Sequence, residues 1–506
     1  MNKTTPPPPL DPPLPPPLTP FPSPEEVCPI ACVQLRELSN CVNSGSMQTN
    51  HPTTGVLVCS TSTDQKLTAH ASTAERATVM NAPSPLLPQT SLVLIALLSI
   101  GAGQEYFIAP DGKPGNTGSA ASPWDIASAW SGAQTVTPGS TLWMKAGTYR
   151  HPDRSWGGQG YTLALEGTEA APITIRPEKG ARVTIDGSVE VKPNSRCIVV
   201  QDLELTVSET AKWDRQVTAG GDKPVAAIDL PRGGINIIGG SGSKFINLVI
   251  HDTASGVGFW RTATDAEISG CIICNNGSIG PDRYHGPGIY TQNETGVKWL
   301  TDNILFGNYS TTIQAYGSSN AWVDGFRIIG NIAFAPVKAG GRAQILVGGG
   351  RPSRDMVVSA NLLYEVPLQI GYTAPHNEDL VARDNFVVNA GLSINRYRIV
   401  KEENNRSIAA DAPRPAEAAE VFLRPNKYDP NRAHLAIFNW KKTPTVQVSL
   451  QPFLKAGEKF RIVTALDFFG KPLLEGVFDG NPLAVSVPIE ERTGHGEFCA
   501  YIIFRN

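Results

Sequence analysis

The sequence predicts an all-β protein. A stack of parallel β-helix coils is followed by a small antiparallel β-sandwich, and a proline-rich segment precedes both. Three observations predict this. A short apolar pulse, often bracketed by asparagine, returns between about 197 and 397 in steps of 24 to 32 residues. The chain holds 48 Gly and 42 Pro, and only 18% of its residues are charged. That composition favours turns and strands over long charged helices. Beyond about 420 the repeat stops and short strands alternate with turns, the pattern of a sandwich.

The pulses are VVQDLEL (199–205), FINLVIHD (245–252), ISGCIICNN (268–276), LTDNILFGN (300–308), RIIGNIAF (327–334), VVSANLLY (357–364) and VARDNFVV (381–388). With Leu248, Ile272, Ile304, Ile332, Leu362 and Phe386 taken as equivalent, the steps are 24, 32, 28, 30 and 24 residues. Such a period means a solenoid or a propeller. A propeller of the WD type needs about 40 residues per unit and its own signatures, which are absent. Each repeat is therefore one coil, and stacking buries a shared apolar core. Asn303, Asn331, Asn361 and Asn385 recur at one turn, with Asn247 offset by one position. Stacked amides there would bond along the axis as a ladder.

Residues 1–79 read differently. Thirteen of the first 30 residues are proline, and the rest is rich in Ser and Thr with no sustained period. Such a segment buries too little apolar surface to offset its ordering entropy, so it is expected to be disordered or absent from the mature protein. Residues 80–103 look like a secretory signal: the apolar run SLVLIALLSI (91–100) ends in small residues and is correctly spaced from Met80. The run is too short to span a bilayer. The expectation is that residues 1–103 are missing from a secreted or periplasmic mature protein.

The body opens with strand EYFIAPDG, a short helix SPWDIASAW with a Ser cap, strand GSTLWMKAGTYR and two strands in APITIRPEKGARVTIDG. The coils then run to 397. Residues 398–419, charged and then Ala/Pro-rich, read as a linker. From 420 to 506 the strands are VFLRP, AHLAIFNW, TVQVSL, EKFRIVTAL, LAVSVP and FCAYIIF.

Net charge is −3, and residues 80–506 hold 39 basic and 40 acidic side chains. No basic field points to nucleic acid. Cys28, Cys32, Cys41 and Cys59 lie in the N-terminal segment, where the Cys28–Cys32 spacing suits zinc but nothing nearby completes a four-ligand set; Cys197, Cys271, Cys274 and Cys499 read mostly as small core residues. No metal ligand set is assigned. The glycine-rich GGGR (348–351) lacks the strand–loop–helix setting and Lys of a phosphate loop.

The opening EYFIAPDG…GSTLWMKAGTY, the coil pulses and YHGPGIYTQN (284–293) together resemble bacterial right-handed parallel β-helix proteins of the pectate-lyase-like superfamily. The resemblance covers roughly 104–397, and the last domain resembles the small sandwiches attached to many carbohydrate-active enzymes. It implies a polysaccharide as substrate or ligand, processed by a lyase or hydrolase or merely bound. Calcium as a cofactor is left open by it. The string PDRYHG (281–286) departs from the Asp-Pro-His-Asp motif of alginate epimerases, so that activity is not carried over.

Strands following the pulses supply the candidate site: GVGFWR (256–261), GIYTQN (288–293), TIQAYG (312–317), QILVGG (344–349), LQIGY (368–372) and LSINRY (392–397). With Val257, Ile289, Ile313, Ile345, Ile370 and Ile394 inward, alternation turns Tyr290, Gln292, Gln314, Tyr316 and Asn395 outward, with Trp260 at the edge. Aromatic faces and amides suit sugar rings and hydroxyls. Around them lie His251, Asp252, Asp282, Arg283, His285, Arg342 and Arg351. For a lyase, an Arg would hold the uronate carboxylate, His285 would take the C5 proton and Tyr290 would protonate the leaving oxygen. A hydrolase would pair Asp252 with Asp282. A non-catalytic carbohydrate-binding or cell-surface role is the reading from another class.

Overall fold

The computed structural model describes residues 103–152, 160–208, 233–279, 284–319, 321–335, 344–488 and 496–505. The segments expected to be unstructured or cleaved, 1–79 and most of 80–103, lie outside them. So do Cys28, Cys32, Cys41, Cys59, Asp282, Arg283 and Arg342.

The coils form three parallel sheets of 11, ten and nine strands. Each coil visits them in one order. For one coil these strands are Lys298–Thr301 in the first sheet, Ile304–Phe306 in the second and Ile313–Ala315 in the third. Every sequence pulse is thus two strands meeting at a corner, not one. The first position of the corner takes a left-handed backbone, as at Asp302, Ala360 and Asp384. The next position is the asparagine. Asn303 Nδ2 donates to Asn331 Oδ1 at 3.0 Å, Asn331 to Asn361 at 3.0 Å, Asn361 to Asn385 at 2.9 Å and Asn385 to Asn405 at 2.8 Å. Each Oδ1 also accepts the preceding coil's backbone N–H. The ladder leaves no donor of the turn orphaned in the dry interior. Asn247 is not a rung: Val249 pairs with Ile272, so Leu248 holds the rung position and Asn247 the left-handed one.

One buried core runs up the axis, from Ile108, Leu142 and Ile175 to Ile345, Leu368 and Val387. A cap covers its N-terminal end. The expected short helix is there, Ile126–Trp130, but Asp125 caps it rather than a Ser, accepting from the Ser128 N–H at 2.9 Å. At the other end the stack runs past 397. Tyr397–Glu403 and Arg406–Ile408 pair with the preceding coil, in a stretch expected to be linker. Their charged residues fit because a terminal coil has only one covered edge, so most of these side chains face water.

The C-terminal region forms a five-stranded antiparallel sheet and a two-stranded one, with every expected strand present and Leu474–Val477 added. One face of the five-stranded sheet packs on Val446, Val448, Val485 and Phe478. Its other face lies on the outside of the second helical sheet. Val249, Ile272, Ile304, Phe306, Phe334, Tyr364 and Phe386 meet Phe438, Trp440, Val463, Phe498 and Ile502 there, all buried. Tyr364 stacks on Phe498 at 5.4 Å, and Phe386 meets Phe438 at 4.8 Å. The sandwich was expected as a separate unit; it is welded to the coils instead. Polar links flank the apolar seam: Lys427 Nζ to Glu267 at 2.9 Å, and Arg424 to the Gly330 and Ala360 carbonyls at 2.6 Å each.

Candidate functional site

The third sheet has its outer face uncovered by the sandwich. Its strands alternate one residue in, one out, because only one face meets the core. Register fixes the outward row. Thr162 pairs with Glu190, Glu190 with Asn236, Asn236 with Gly258 and Gly258 with Tyr290. Tyr290 pairs with Gln314, and Leu346, Gln369 and Ser393 continue the row. Two residues on, a second row holds Lys192, Trp260, Gln292, Tyr316 and Asn395. Inward lie Val257, Ile289, Ile313 and Ile345, all buried. Ile345 is followed by Leu368 and Leu392, not by Ile370 and Ile394, so that expected register is two residues off at the last two coils. Both alternatives face inward, because a two-residue shift keeps the face.

Side chains on this face contact one another. Trp260 packs edge-on to Tyr290 at 5.3 Å and its Nε1–H donates to Asn236 Oδ1. Gln292 Nε2 donates to the Tyr290 hydroxyl at 3.3 Å. Tyr316 meets Tyr372 at 5.9 Å. Burial, and then Tyr372, raise the Tyr316 phenol pKa. Beneath the strip, Lys298 crosses the interior. Its Nζ donates to the Trp260 and Gln292 carbonyls at 2.7 and 2.8 Å and sits 4.0 Å over the Phe259 ring. Burial pushes its pKa well down.

His285 lies in the short strand Tyr284–His285, paired antiparallel with Ser278–Ile279 at the entry to strand Ile289–Thr291. This hairpin needs glycine. A Cβ on Gly286, whose φ is +78°, would sit 2.0 Å from the Ala254 carbonyl oxygen. His285 is half-buried there. Arg351 follows the strand Ile345–Val347 and stacks its guanidinium 3.8 Å over Trp322.

His251 and Asp252 are elsewhere. They end a strand of the second sheet, away from the strip. His251 Nε2 lies 3.0 Å from Glu204 Oε1 and its Nδ1 2.8 Å from Asp252 Oδ2. Burial opposes the imidazolium, but Asp252 and Glu204 outweigh it and raise the pKa to about 9. Burial likewise opposes the Glu204 charge, and bonds from His251, Arg182 and Thr184 outweigh it, bringing the pKa to about 2. This is a closed ion-pair network, so a pairing of Asp252 with Asp282 across one groove draws no support from it.

Glu190, Lys192, Asn236, Gln369 and Tyr372 join the strip without having been singled out by sequence. The signal was present for three of them: VEV, INI and LQI share with IQA one apolar–polar–apolar triplet. Among the described residues no group of three or more His, Cys, Asp or Glu is placed to hold a metal ion. No described helix is long and apolar enough to cross a membrane.

The family model for the right handed beta helix region matches residues 218–331. No curated protein matches the chain. Among solved structures, pectate lyase Pel9A is similar at 14% identity and TM-score 0.38, covering 63% of this chain and 80% of its own. A rhamnogalacturonan lyase is similar at 14% and 0.40, covering 61% and 87%. XylC in complex with xylose is similar at 9% and 0.39, covering 76% and 95%. Likeness at that level reaches no further than the course of the chain. The class is a right-handed parallel β-helix protein with an antiparallel sandwich docked on its second sheet.

Proposed function

We propose that the third sheet binds an extended polysaccharide and that the protein cleaves it as a lyase. The observation that carries this reading is the unbroken outward row from Thr162 to Ser393, with Trp260, Tyr290, Tyr316 and amides along it. Eight strand spacings make it about 38 Å long, a length suited to a polymer rather than a small metabolite. Aromatic edges and faces meet sugar C–H groups, and amides meet hydroxyls.

For β-elimination, a cation holds the uronate carboxylate, a base removes the C5 proton, and the electron pair forms the C4–C5 double bond as the glycosidic oxygen leaves with a proton. His285 is the proposed base and Tyr290 the acid, with Arg351, Arg283 or Arg342 as the cation. Among the described residues only Glu190 brings a carboxylate to the two outward rows, and Lys192 pairs with it. Hydrolysis needs two carboxylates, so the lyase reading is preferred. The contacts among Trp260, Tyr290, Tyr316 and Tyr372 also favour a rigid binding platform, the non-catalytic alternative.

Screening acidic and neutral polysaccharides for near-ultraviolet absorbance of unsaturated products tests the proposal. His285→Ala and Tyr290→Phe should each lose about 100-fold or more of turnover while melting stays unchanged. Absence of turnover on any polymer, with binding lost in Tyr316→Ala, would decide for the platform.

Secretion is part of the same proposal, supported by the apolar run 91–100 and the spacing from Met80. N-terminal sequencing of exported protein should begin near Gln104; a start near Met1 would refute the cleavage.

A further inference from the structure

The row on the third sheet has a beginning. Its first strand is Tyr161–Leu163, and among the described residues no further strand lies beside it on the N-terminal side. The short helix of the cap lies in that place. Ala164 N–H donates to the Trp130 carbonyl at 2.8 Å, and the Trp130 and Tyr161 rings meet at 6.3 Å. The cap therefore closes the end of the strip.

Between cap and strand lies a hollow of about 460 Å³, bounded by Asp125, Ala127 and Ser128 on the cap and by His151, Tyr161 and Thr162 on the coil. The hollow is a shallow one, open to solvent. Its walls are chemically mixed. The His151 ring stands edge-on to Tyr161 at 4.8 Å. Asp125 accepts from the Ser128 N–H and hydroxyl, and a carboxylate has lone pairs left for further donors. Thr162 is both a wall of the hollow and the first member of the outward row. Strip and hollow are continuous.

We propose that the hollow is a terminal subsite, which takes the end sugar of a saccharide chain lying along the strip. The proposal rests on the carbohydrate reading of the third sheet. An end sugar meets the His151 ring, which Tyr161 backs from the core, and its hydroxyls meet Asp125, Ser128 and Thr162. The cap stops the chain from sliding further, so the strip counts residues from that end. Tyr290 lies four strands on, about 19 Å from Thr162. Cleavage there, with the end seated, releases oligosaccharides of one short, fixed length.

Calorimetric titration of the full-length protein with short and long oligosaccharides of an acidic (galacturonate) and a neutral (xylose) series tests this. Ala127→Trp places an indole in the hollow from an exposed position, and His151→Ala removes a wall. Ala127→Trp should weaken short-chain binding tenfold or more and leave long chains, held by the rest of the strip, within a few-fold. Tyr316→Ala should weaken long chains. Melting curves of all three variants should match the parent. Short chains binding equally to Ala127→Trp and parent, with Tyr316→Ala still impaired, would overturn the terminal subsite and leave the carbohydrate reading standing. No binding of either series to the parent would overturn both.

Discussion

The outer face of the second sheet is two surfaces on one backbone. Its early strands present Thr184, Asp186, Glu204, Thr206 and His251; its later strands present Ile272, Cys274, Ile304, Phe306, Phe334 and Tyr364. Register is continuous across the change: Glu204 pairs with Val249, and His251 with Cys274. Nothing in the coil geometry distinguishes the two halves. The polar half closes into ion pairs, Arg182–Glu204–His251 and Arg150–Asp186, at the edge of solvent. The apolar half is covered by the five-stranded sheet. The outward side chains of successive coils therefore set where the sandwich docks, and Phe469 of the sandwich reaches over Arg182 at 3.8 Å to mark the border.

Perturbing each half should give very different results. Phe334 is 1% exposed and packs on Phe498 at 5.1 Å. Phe334→Asp buries an unpaired charge in the seam, an expected loss of several kcal/mol. Because the seam joins both parts, coils and sandwich should then lose their shared melting transition. Arg182→Ala, on the polar half, removes an exposed guanidinium while His251 and Thr184 still hold Glu204. Its expected loss is about 1 kcal/mol or less. Calorimetry on both variants checks the contrast; equal losses would mean the apolar half does not hold the sandwich.

Much of this was legible in the sequence, and the comparison shows where legibility stopped. The period gave the coils and four of the five ladder asparagines. Asn405 escaped because its coil is charged, so the apolar pulse that marked the others is missing there. The docked sandwich was also encoded. ILF, IAF, LLY and FVV are apolar on both faces, and a strand apolar on both faces is covered on both. Alternating triplets such as IYT and IQA marked the open sheet instead. The site was legible as an alternation, which gives direction but not neighbours. His251 and Tyr290 were grouped by sequence yet stand on different sheets, one full coil and a corner apart.

Between pH 4.5 and 9, acid and alkali should act on opposite halves, which separates them without disrupting packing. His434 sits in the seam, 2% exposed, on the strand Arg432–Phe438. Burial first, then the neighbouring Arg432 and Arg424 charges, push its pKa well below the ordinary 6.5, while the Asp302 carbonyl accepts a bond from the ring. Its Nε2 has no hydrogen-bond partner among the described residues. The unfolded chain takes up this proton more readily than the folded one, so stability is full above pH 6.5 and falls as pH drops below it. His251 is the reverse. Its pKa rises from 6.5 to about 9, so its contribution is full below pH 6.5 and fades as pH climbs through 9. Glu204, brought from 4.5 to about 2, keeps its contribution above pH 4.5 and loses it as pH falls through 2. Melting temperature should therefore decline on both sides of pH 6.5. His434→Gln should flatten the decline between pH 6.5 and 4.5, and His251→Gln the decline between 6.5 and 9. If the acid limb of His434→Gln matched the parent's, the seam would not be the acid-sensitive half.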